Sequence, residues 1–300
     1  MHKQWRLNAL RGVSVVFLGY ATGTFGLAMA GSNPEAILRA KYISLEPQLR
    51  QNQFKRPLVL DSIESSNRLQ GDIYALVDYS FSKVNAGLNN PSHWCDVMLL
   101  HINTKYCHAI AGPTGTILKV NIGKKTPEEL SDVPRLEFNY NVAVATREYL
   151  DIILNASVGP FGTRNYLVRL EAVALPGDKT FLHLTYSYAF NFTGSLAMQT
   201  YLGTIGSDKV GFTIIGRRVD GQPNYIRGVR GLVERNTMRY YLAIDSFLGA
   251  ASAPPAMQFE MRLQNWFTAA EHFPRQLHEM NQETYLEMKR AENIRQQTLH

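Results

Sequence analysis

Three runs of alternating apolar and polar residues constrain the fold of this sequence more than any other feature. They cover residues 138–145, 165–172 and 182–190, and a Pro-Gly-Asp-Lys turn at 176–179 separates the last two. Because the side chains of a strand point alternately to opposite faces, each run has one apolar face and one more polar face. This pattern is typical of antiparallel sheets that are covered on one side, and it predicts such a sheet here.

The flanking segments add strands and a covering helix. Further strands are predicted at 71–81, 97–107, 117–123 and 209–216. The run 232–249 has no proline and no internal glycine, and Met238, Tyr241, Leu242 and Leu248 fall near one helical face. It predicts a long helix that packs on the sheet, which makes the fold class α+β. Shorter helical patterns are predicted at 34–50, 195–203 and 275–297.

The first thirty residues have the pattern of an export signal. Lys3, Arg6 and Arg11 precede nineteen uncharged residues, 12–30, which end in Ala-Met-Ala. A basic start, an apolar stretch and small residues at the end predict a secretory signal peptide, and therefore a periplasmic protein in a bacterium or a secreted one elsewhere. A single membrane anchor is the alternative, because nineteen residues could just cross a bilayer.

Composition and charge exclude several classes of protein. Apolar residues make up 45% of the chain, which is enough for a sizeable core and excludes wholesale disorder. The 31 basic and 25 acidic residues give a net charge of +6. Without the predicted signal peptide the balance is 28 against 25, or +3. This modest charge argues against nucleic acid as a partner.

Two cysteines, Cys95 and Cys107, are twelve positions apart. In an oxidising compartment they could form a disulfide. If 97–107 were one straight strand, however, the thiols would lie about 30 Å apart, beyond bridging range. A disulfide and two separate buried thiols therefore both stay open, while a structural zinc site is not expected.

One segment carries a resemblance to a known family. An alternating strand is followed by a helix, an Asn-Asn-Pro turn at 89–91 and a tryptophan, with these residues at the matching positions: Ile73, Asp78, Ser80, Phe81, Val84, Leu88 and Trp94. Together with the order of elements, residues 71–250 resemble the START-related, helix-grip superfamily of lipid-transfer domains, polyketide cyclases and plant pathogenesis-related proteins. The domain organisation expected is a signal peptide at 1–30, an N-terminal arm at 31–70, a START-like domain at 71–250, and a linker with a helical tail at 251–300.

The resemblance implies a curved antiparallel sheet that grips the long helix around an elongated apolar cavity. The residues expected to line that cavity are Tyr140, Tyr166, Tyr186, Tyr188, Met238 and Leu242. Tyrosine combines an apolar ring with a polar hydroxyl, so such a wall suits a lipid-like, amphipathic ligand. The alternative is that these side chains fill a solid core.

No familiar catalytic motif or cofactor motif occurs in the sequence, and neither a cofactor nor a metal is expected. The candidate catalytic residues are His101, which would share a strand face with Val97, and Asp245 on the long helix. A core histidine and a structural ion pair, with Arg239 or a strand arginine as the partner of Asp245, are the simpler interpretations. His183 is expected on the wet face of its strand.

Arginines cluster near the start of the long helix, and Arg227, Arg230 and Arg239 are candidate anion ligands. A solvated basic surface is the alternative. Transient contact with a membrane surface is compatible with either interpretation.

Three hypotheses for the function follow. The first is an exported carrier that binds or transfers a lipid or another apolar small molecule. The second is a cyclase or dehydratase that acts on an apolar substrate in the same cavity. The third is an envelope protein whose C-terminal helix docks on a partner of unknown identity.

Overall fold

The computed structural model of this protein describes residues 33–113, 115–191 and 208–299. The predicted signal peptide and the predicted helix at 195–203 lie outside these residues. The described helices are α1 Pro34–Arg50, α2 Phe81–Leu88, α3 Pro91–Leu100, α4 Gly228–Ala250, α5 Pro255–Glu271, α6 Pro274–Leu277 and α7 Gln282–Thr298. The described strands are β1 Leu58–Glu64, β2 Arg68–Val77, β3 Thr104–Gly112, β4 Gly115–Ile122, β5 Arg135–Ala145, β6 Tyr149–Val158, β7 Thr163–Leu175, β8 Lys179–Phe190, β9 Ile214–Arg217 and β10 Pro223–Tyr225.

Eight strands form one antiparallel sheet in the order β1-β2-β8-β7-β6-β5-β4-β3. The alternating runs occupy β5, β7 and β8, and their apolar positions are paired across the sheet. Leu170 of β7, for example, lies opposite Ile152 on one side and Leu184 on the other. All three are buried, so the runs point their apolar side chains into a common core. The predicted strand at 209–216 is shorter, and β9 pairs with β10 in a separate two-stranded ribbon.

The long helix α4 packs against β1, β2 and β8. Gly71 of β2 permits this close contact, because a Cβ atom at that position would lie 2.2 Å from the Thr237 Oγ1 atom of α4. Most of α4 is buried, including Val233, Met238 and Leu242. The predicted fold class, an α+β fold with an antiparallel sheet that grips a long helix, is confirmed.

The predicted strand at 97–107 is wrong for residues 97–100, which belong to α3, whereas residues 104–107 do belong to a strand, β3. Asn90 caps a helix there, because its side chain accepts a hydrogen bond from the Ser92 N–H and Pro91 occupies the first turn. The Trp94 Nε1 donates to the Leu88 carbonyl at 2.8 Å and thereby ties α3 to α2. The continuous apolar run 97–100 is a buried helix, a case that periodicity cannot distinguish from a buried strand.

This correction also decides between the two interpretations of the cysteines. Cys95 lies on α3 and Cys107 on β3, and their Cα atoms are 5.1 Å apart. The two residues form a disulfide. The chain reverses at residues 101–103, and this reversal removes the separation that a straight strand would have imposed.

The N-terminal arm and the helical tail are integral to the fold, and the described residues from Pro34 onward form one compact unit. Helix α1 places Leu38, Leu45 and Leu49 on the outer face of the sheet, so that this face is also partly covered. The expected boundaries at 70 and 250 therefore do not separate compact units. Strand β1 precedes residue 70, β2 spans it, and the two strands pair with each other.

The tail docks through buried contacts of α7. The Tyr285 hydroxyl donates to the Leu100 carbonyl at 2.9 Å, and Lys289 donates to the carbonyl groups of His101 and Thr104, each at 2.8 Å. The predicted single helix at 275–297 is divided into α6 and α7. In the described ranges, no helix is both long and apolar enough to cross a membrane.

Candidate functional site

Three of the four predicted tyrosines lie together on the inner face of β7 and β8. The rings of Tyr166 and Tyr188 stack with centroids 5.3 Å apart and an interplanar angle of 17°. Tyr186 lies 5.7 Å from Tyr188, measured between ring centroids. The inward alternation of β8 thus produces a continuous aromatic surface rather than isolated rings.

Two residues from helices extend this surface. Tyr240 of α4 lies 5.1 Å from Tyr186, and His101, at the C-terminal end of α3, lies 4.8 Å from Tyr240. Tyr240 is absent from the residues predicted to line the cavity. Its signal in the sequence is the four-residue spacing of Leu232, Asn236 and Tyr240, which places all three on one stripe of a helix.

These aromatic residues line a pocket of about 930 Å³ between α4 and the inner face of the sheet. We call it the tyrosine pocket. Its lining residues are His101, Asn103, Ile122, Gly123, Lys124, Pro127, Glu128, Glu129, Asp132, Pro134, Pro160, Thr163, Tyr166, Tyr186, Tyr188, Leu232, Asn236 and Tyr240. The aromatic rings form one wall, and the polar residues of the 123–132 segment form the rim.

His101 is one of the residues that line this pocket, and its ring carries a donor without a partner among the described residues. Its side chain is buried, and its Nδ1 atom accepts a hydrogen bond from the Asn103 N–H at 3.3 Å. The proton of the neutral ring therefore lies on Nε2. Within the described residues, the buried Nε2 has no hydrogen-bond partner.

The charge state of His101 follows from its surroundings. Burial, followed by the nearby positive charges of Arg239, Lys289 and Lys125, holds the pKa of His101 well below its usual value. The ring is neutral at physiological pH and keeps its Nε2–H. The position of His101 was predicted on a strand face, and it lies instead at the C-cap of α3, but the expectation that it points inward is met by its burial.

The tyrosine hydroxyls are also fixed in one protonation state. Burial is the largest cause of the raised pKa of Tyr166, Tyr186, Tyr188 and Tyr240. They remain phenols over the physiological range and offer O–H groups rather than basic phenolates. The tyrosine wall is therefore suited to ligand contacts rather than to proton abstraction.

Three residues expected to line the cavity lie elsewhere. Tyr140 is half-buried, and its hydroxyl donates to the Leu88 carbonyl at 3.3 Å. Met238 and Leu242 are fully buried in the core under α4. These positions therefore fit the alternative of a solid core better than that of a cavity wall. On α4, the residues that line the pocket lie on a different stripe of the helix from Met238 and Leu242.

Asp245 is separated from His101 by the thickness of α4. It forms an ion pair with Arg56, and it accepts a hydrogen bond from the Tyr79 hydroxyl at 3.3 Å. Asp245 and the pocket-lining Asn236 are nine positions apart, which at ~100° per residue places them on opposite faces of the helix. The two candidate catalytic residues thus do not share a cavity, and the partner of Asp245 is Arg56 rather than Arg239 or a strand arginine.

The three candidate anion ligands do not form one site. Arg239 is buried and donates to Glu279 at 2.6 Å, so it belongs to an ion pair. Arg230 donates to the Ser62 hydroxyl at 2.8 Å. Arg227 is the N-cap residue of α4, about 18 Å from Arg239 along the helix axis at ~1.5 Å per residue. The sequence cluster is spread along the helix.

His183, which was expected on the wet face of β8, is mostly buried among charged groups on the outer face of the sheet. Its Nε2 lies 2.9 Å from Asp72 Oδ1, and its Nδ1 lies 3.0 Å from Glu171 Oε2. Burial alone would lower the pKa of His183, but the hydrogen bonds with Asp72 and Glu171 outweigh it and raise the pKa. Period-two alternation identified the face correctly, but it could not show that neighbouring strands place two carboxylates beside the ring.

Across residues 33–113, 115–191 and 208–299, no group of three or more His, Cys, Asp or Glu side chains could hold a metal ion.

No family model and no curated protein matches this chain. Among solved structures, it is similar to an aromatase/cyclase from a Streptomyces species, at 10% identity over 68% of this chain and 94% of the other, with a TM-score of 0.33. It is also similar to norcoclaurine synthase from Thalictrum flavum, at 15% identity over 48% of this chain and 92% of the other, with a TM-score of 0.32. A third similar structure is human StAR-related lipid transfer protein 5, at 8% identity over 56% of this chain and 90% of the other, with a TM-score of 0.32.

Proposed function

We propose that the tyrosine pocket binds an uncharged, mainly apolar small molecule that carries a hydrogen-bond acceptor oxygen, such as a carbonyl or hydroxyl group. The observation that carries this proposal is the buried Nε2–H of His101, a residue of the pocket lining, which has no partner among the described residues. The role that follows is that of a binding or carrier protein.

The size and lining of the pocket support an apolar ligand. Its volume of about 930 Å³ lies in the range of pockets that enclose lipid-like or drug-sized molecules. Four tyrosine rings and one imidazole supply a flat, rigid surface, and ring-shaped or branched hydrocarbon groups gain contact area on such a surface at little entropic expense.

The His101 donor supports an acceptor oxygen on the ligand. A buried donor without a partner destabilises a protein by roughly 1–3 kcal/mol, and a ligand oxygen placed within reach of Nε2 would recover that free energy. Because the imidazole is neutral, it recognises a neutral oxygen without requiring a counter-charge.

The charges at the rim argue against an anionic ligand in this pocket. Among the described residues of the rim, Glu128, Glu129 and Asp132 stand against a single lysine, Lys124. The rim therefore has a net negative formal charge, and it repels carboxylates and phosphates while admitting neutral molecules.

The experiment that tests this proposal is a fluorescence titration with N-phenyl-1-naphthylamine, an uncharged apolar probe. The wild-type protein is expected to bind it, whereas Leu232→Trp, which places a bulky ring in the pocket, is expected to weaken binding about tenfold or more. Ile43→Trp is the matched control, since Ile43 is exposed on α1 away from the pocket. Equal affinity in all three proteins, or no binding by the wild type, would overturn the proposal.

We also propose that the protein acts outside the cytoplasm. The basic and then uncharged N-terminal segment ending in Ala-Met-Ala, together with the Cys95–Cys107 disulfide, supports export to an oxidising compartment. Sequencing the N-terminus of the protein isolated from its host is the test. A mature chain that begins at Gly31 is expected, and an intact N-terminus in the cytosolic fraction would contradict export.

A further inference from the structure

A second cavity, of about 910 Å³, lies on the face of α4 opposite the tyrosine pocket. It is enclosed by the segment 53–56, by α4, by α5 and by α6. We call it the outer cavity. None of its lining residues belongs to the tyrosine pocket, so the two can be tested separately.

The floor of the outer cavity is aromatic. The ring centroids of Phe54, Phe212 and Phe273 lie between 5.4 and 6.1 Å from one another. Phe54 and Phe212 are buried, and Phe273 is half-buried at the cavity surface. This floor can accept an aromatic ring or a hydrocarbon chain.

The rim of the outer cavity is basic. Lys55, Arg56 and Arg275 line it. In the part of the chain that the structure describes, Asp245 is the single carboxylate of the lining. Asp245 is paired with Arg56. Neither Lys55 nor Arg275 forms an ion pair with a carboxylate of the described chain, and Arg275 is held over the ring of Tyr225 at 5.2 Å. The three cations and one anion leave a net formal charge of +2.

Gln276 adds an independent observation. This residue is only 5% exposed, and it lines the outer cavity. Its side-chain amide makes no hydrogen bond with another described residue. The amide atoms of Gln276 are not among the solvent-inaccessible atoms that lack a partner, so this amide is available for a hydrogen bond with a ligand in the cavity.

We propose that the outer cavity is a second binding site, selective for a small amphipathic anion whose apolar group rests on the phenylalanine floor. The negatively charged group, a carboxylate, sulfonate or phosphate, contacts Lys55 and Arg275, and an oxygen of the ligand accepts a hydrogen bond from the Gln276 amide. The selectivity is opposite to that of the tyrosine pocket, whose rim is acidic.

The test uses two probes that share one skeleton. 8-Anilinonaphthalene-1-sulfonate carries a sulfonate, and N-phenyl-1-naphthylamine lacks it. The double variant Lys55→Gln/Arg275→Gln is expected to weaken binding of the sulfonate probe about tenfold, because charge-assisted hydrogen bonds are lost. It should leave binding of the uncharged probe unchanged. The matched control is Arg135→Gln/Arg147→Gln, which removes two exposed cations that do not line the outer cavity, one on β5 and one just after it, and should change neither affinity more than about twofold.

A second variant reports on position rather than charge. Ala269→Trp fills the outer cavity and is expected to reduce binding of the sulfonate probe, whereas Leu232→Trp in the tyrosine pocket should not. Equal sulfonate-probe affinity in the double variant and its charge-matched control would overturn the proposal. So would loss of that probe in Leu232→Trp but not in Ala269→Trp. Failure of the tyrosine pocket would appear differently, as absence of binding by the uncharged probe alone.

Soluble and membrane-bound anions are distinguished in a final arm. Vesicles of phosphatidylcholine with and without phosphatidylglycerol are added to the wild-type protein saturated with the sulfonate probe. A free amphipathic anion as the ligand predicts that octanoate displaces the probe and that the vesicles do not bind the protein. Displacement only by phosphatidylglycerol vesicles would contradict a soluble ligand.

Discussion

The imidazole of His101 and the phenol ring of Tyr240 pack with centroids 4.8 Å apart, although the two residues come from different helices, at the end of α3 and in the middle of α4. This contact joins the neutral imidazole of His101 to the aromatic wall of β7 and β8, because Tyr240 also packs against Tyr186. It fixes where a polar atom of a ligand would meet the protein.

The first prediction compares two tyrosines on either side of the boundary between pocket and core. Tyr240→Ala is expected to weaken N-phenyl-1-naphthylamine binding about tenfold, because it removes a wall of the pocket. Tyr140→Ala should leave the affinity within about twofold, and each change should lower the free energy of unfolding by roughly 2–4 kcal/mol. Titration of both variants, with urea unfolding as the control for folding, checks this. Equal losses of affinity would show that the pocket boundary is misplaced.

The second prediction concerns the disulfide. Reduction of Cys95–Cys107, which closes a loop of twelve positions, is expected to lower the free energy of unfolding by about 2–3 kcal/mol. The measurement is urea unfolding with and without dithiothreitol. The double variant Cys95→Ser/Cys107→Ser is the control, and its unfolding midpoint should not respond to the reductant. An unchanged midpoint in the wild type would contradict the contribution of this bridge to stability.

The third prediction concerns His183 between Asp72 and Glu171. The raised pKa of His183 means that its contribution to stability is fully present below the unfolded pKa of about 6.5 and is lost as the pH rises through the folded value. His183→Gln should therefore destabilise the protein more at about pH 6 than at about pH 9. Unfolding free energies of both proteins at the two pH values test this, and a difference independent of pH would contradict it.

The fourth prediction concerns Lys289, whose side chain is fully buried beside Lys105 and Glu292. Burial lowers the pKa of Lys289 to about 8, against the attraction of Glu292, which raises it. The folded pKa lies below the unfolded one, so between these two values the unfolded chain binds more protons than the folded protein. The contribution of Lys289 to the free energy of unfolding therefore rises with pH, by up to about 1.4 kcal/mol per pH unit. Relative to Lys289→Met, the wild type should gain stability between about pH 8 and about pH 10. Parallel stability profiles of the two proteins would contradict the lowered pKa.

The sequence predicts the sheet and the long helix well, because both depend on local periodicity. Alternation in β7 and β8 placed Tyr166, Tyr186 and Tyr188 on the inner face, and the structure has them there. The same rule failed at residues 97–100, since a continuous apolar run fits a buried helix and a buried strand equally well. That single error also displaced His101 and left the pairing of the cysteines open.

The remaining features of the site depend on contacts between segments that are distant in the chain. Arg56 and Asp245 are 189 positions apart, and Lys105 and Glu292 are 187 positions apart. No local sequence pattern identifies such partners, because any other arginine or lysine of the chain could pair with the same carboxylate equally well. The tail appeared as a charged appendage for the same reason: its buried face carries Glu292, which pairs with Lys105 of β3 only after docking.

Recognition of an acceptor oxygen by the tyrosine pocket is tested with 9-fluorenone and fluorene, which share a tricyclic skeleton but differ in one carbonyl group. Binding of each to the wild type and to His101→Phe is measured by isothermal titration calorimetry. Phenylalanine keeps a ring against Tyr240 and removes the Nε2–H. In each protein the ratio of the fluorene Kd to the fluorenone Kd measures the preference for the carbonyl group. This ratio is expected to be about tenfold larger in the wild type than in the variant, which corresponds to one recovered hydrogen bond. The same preference in both proteins, or no binding of either compound to the wild type, would contradict a pocket that recognises an acceptor oxygen through His101.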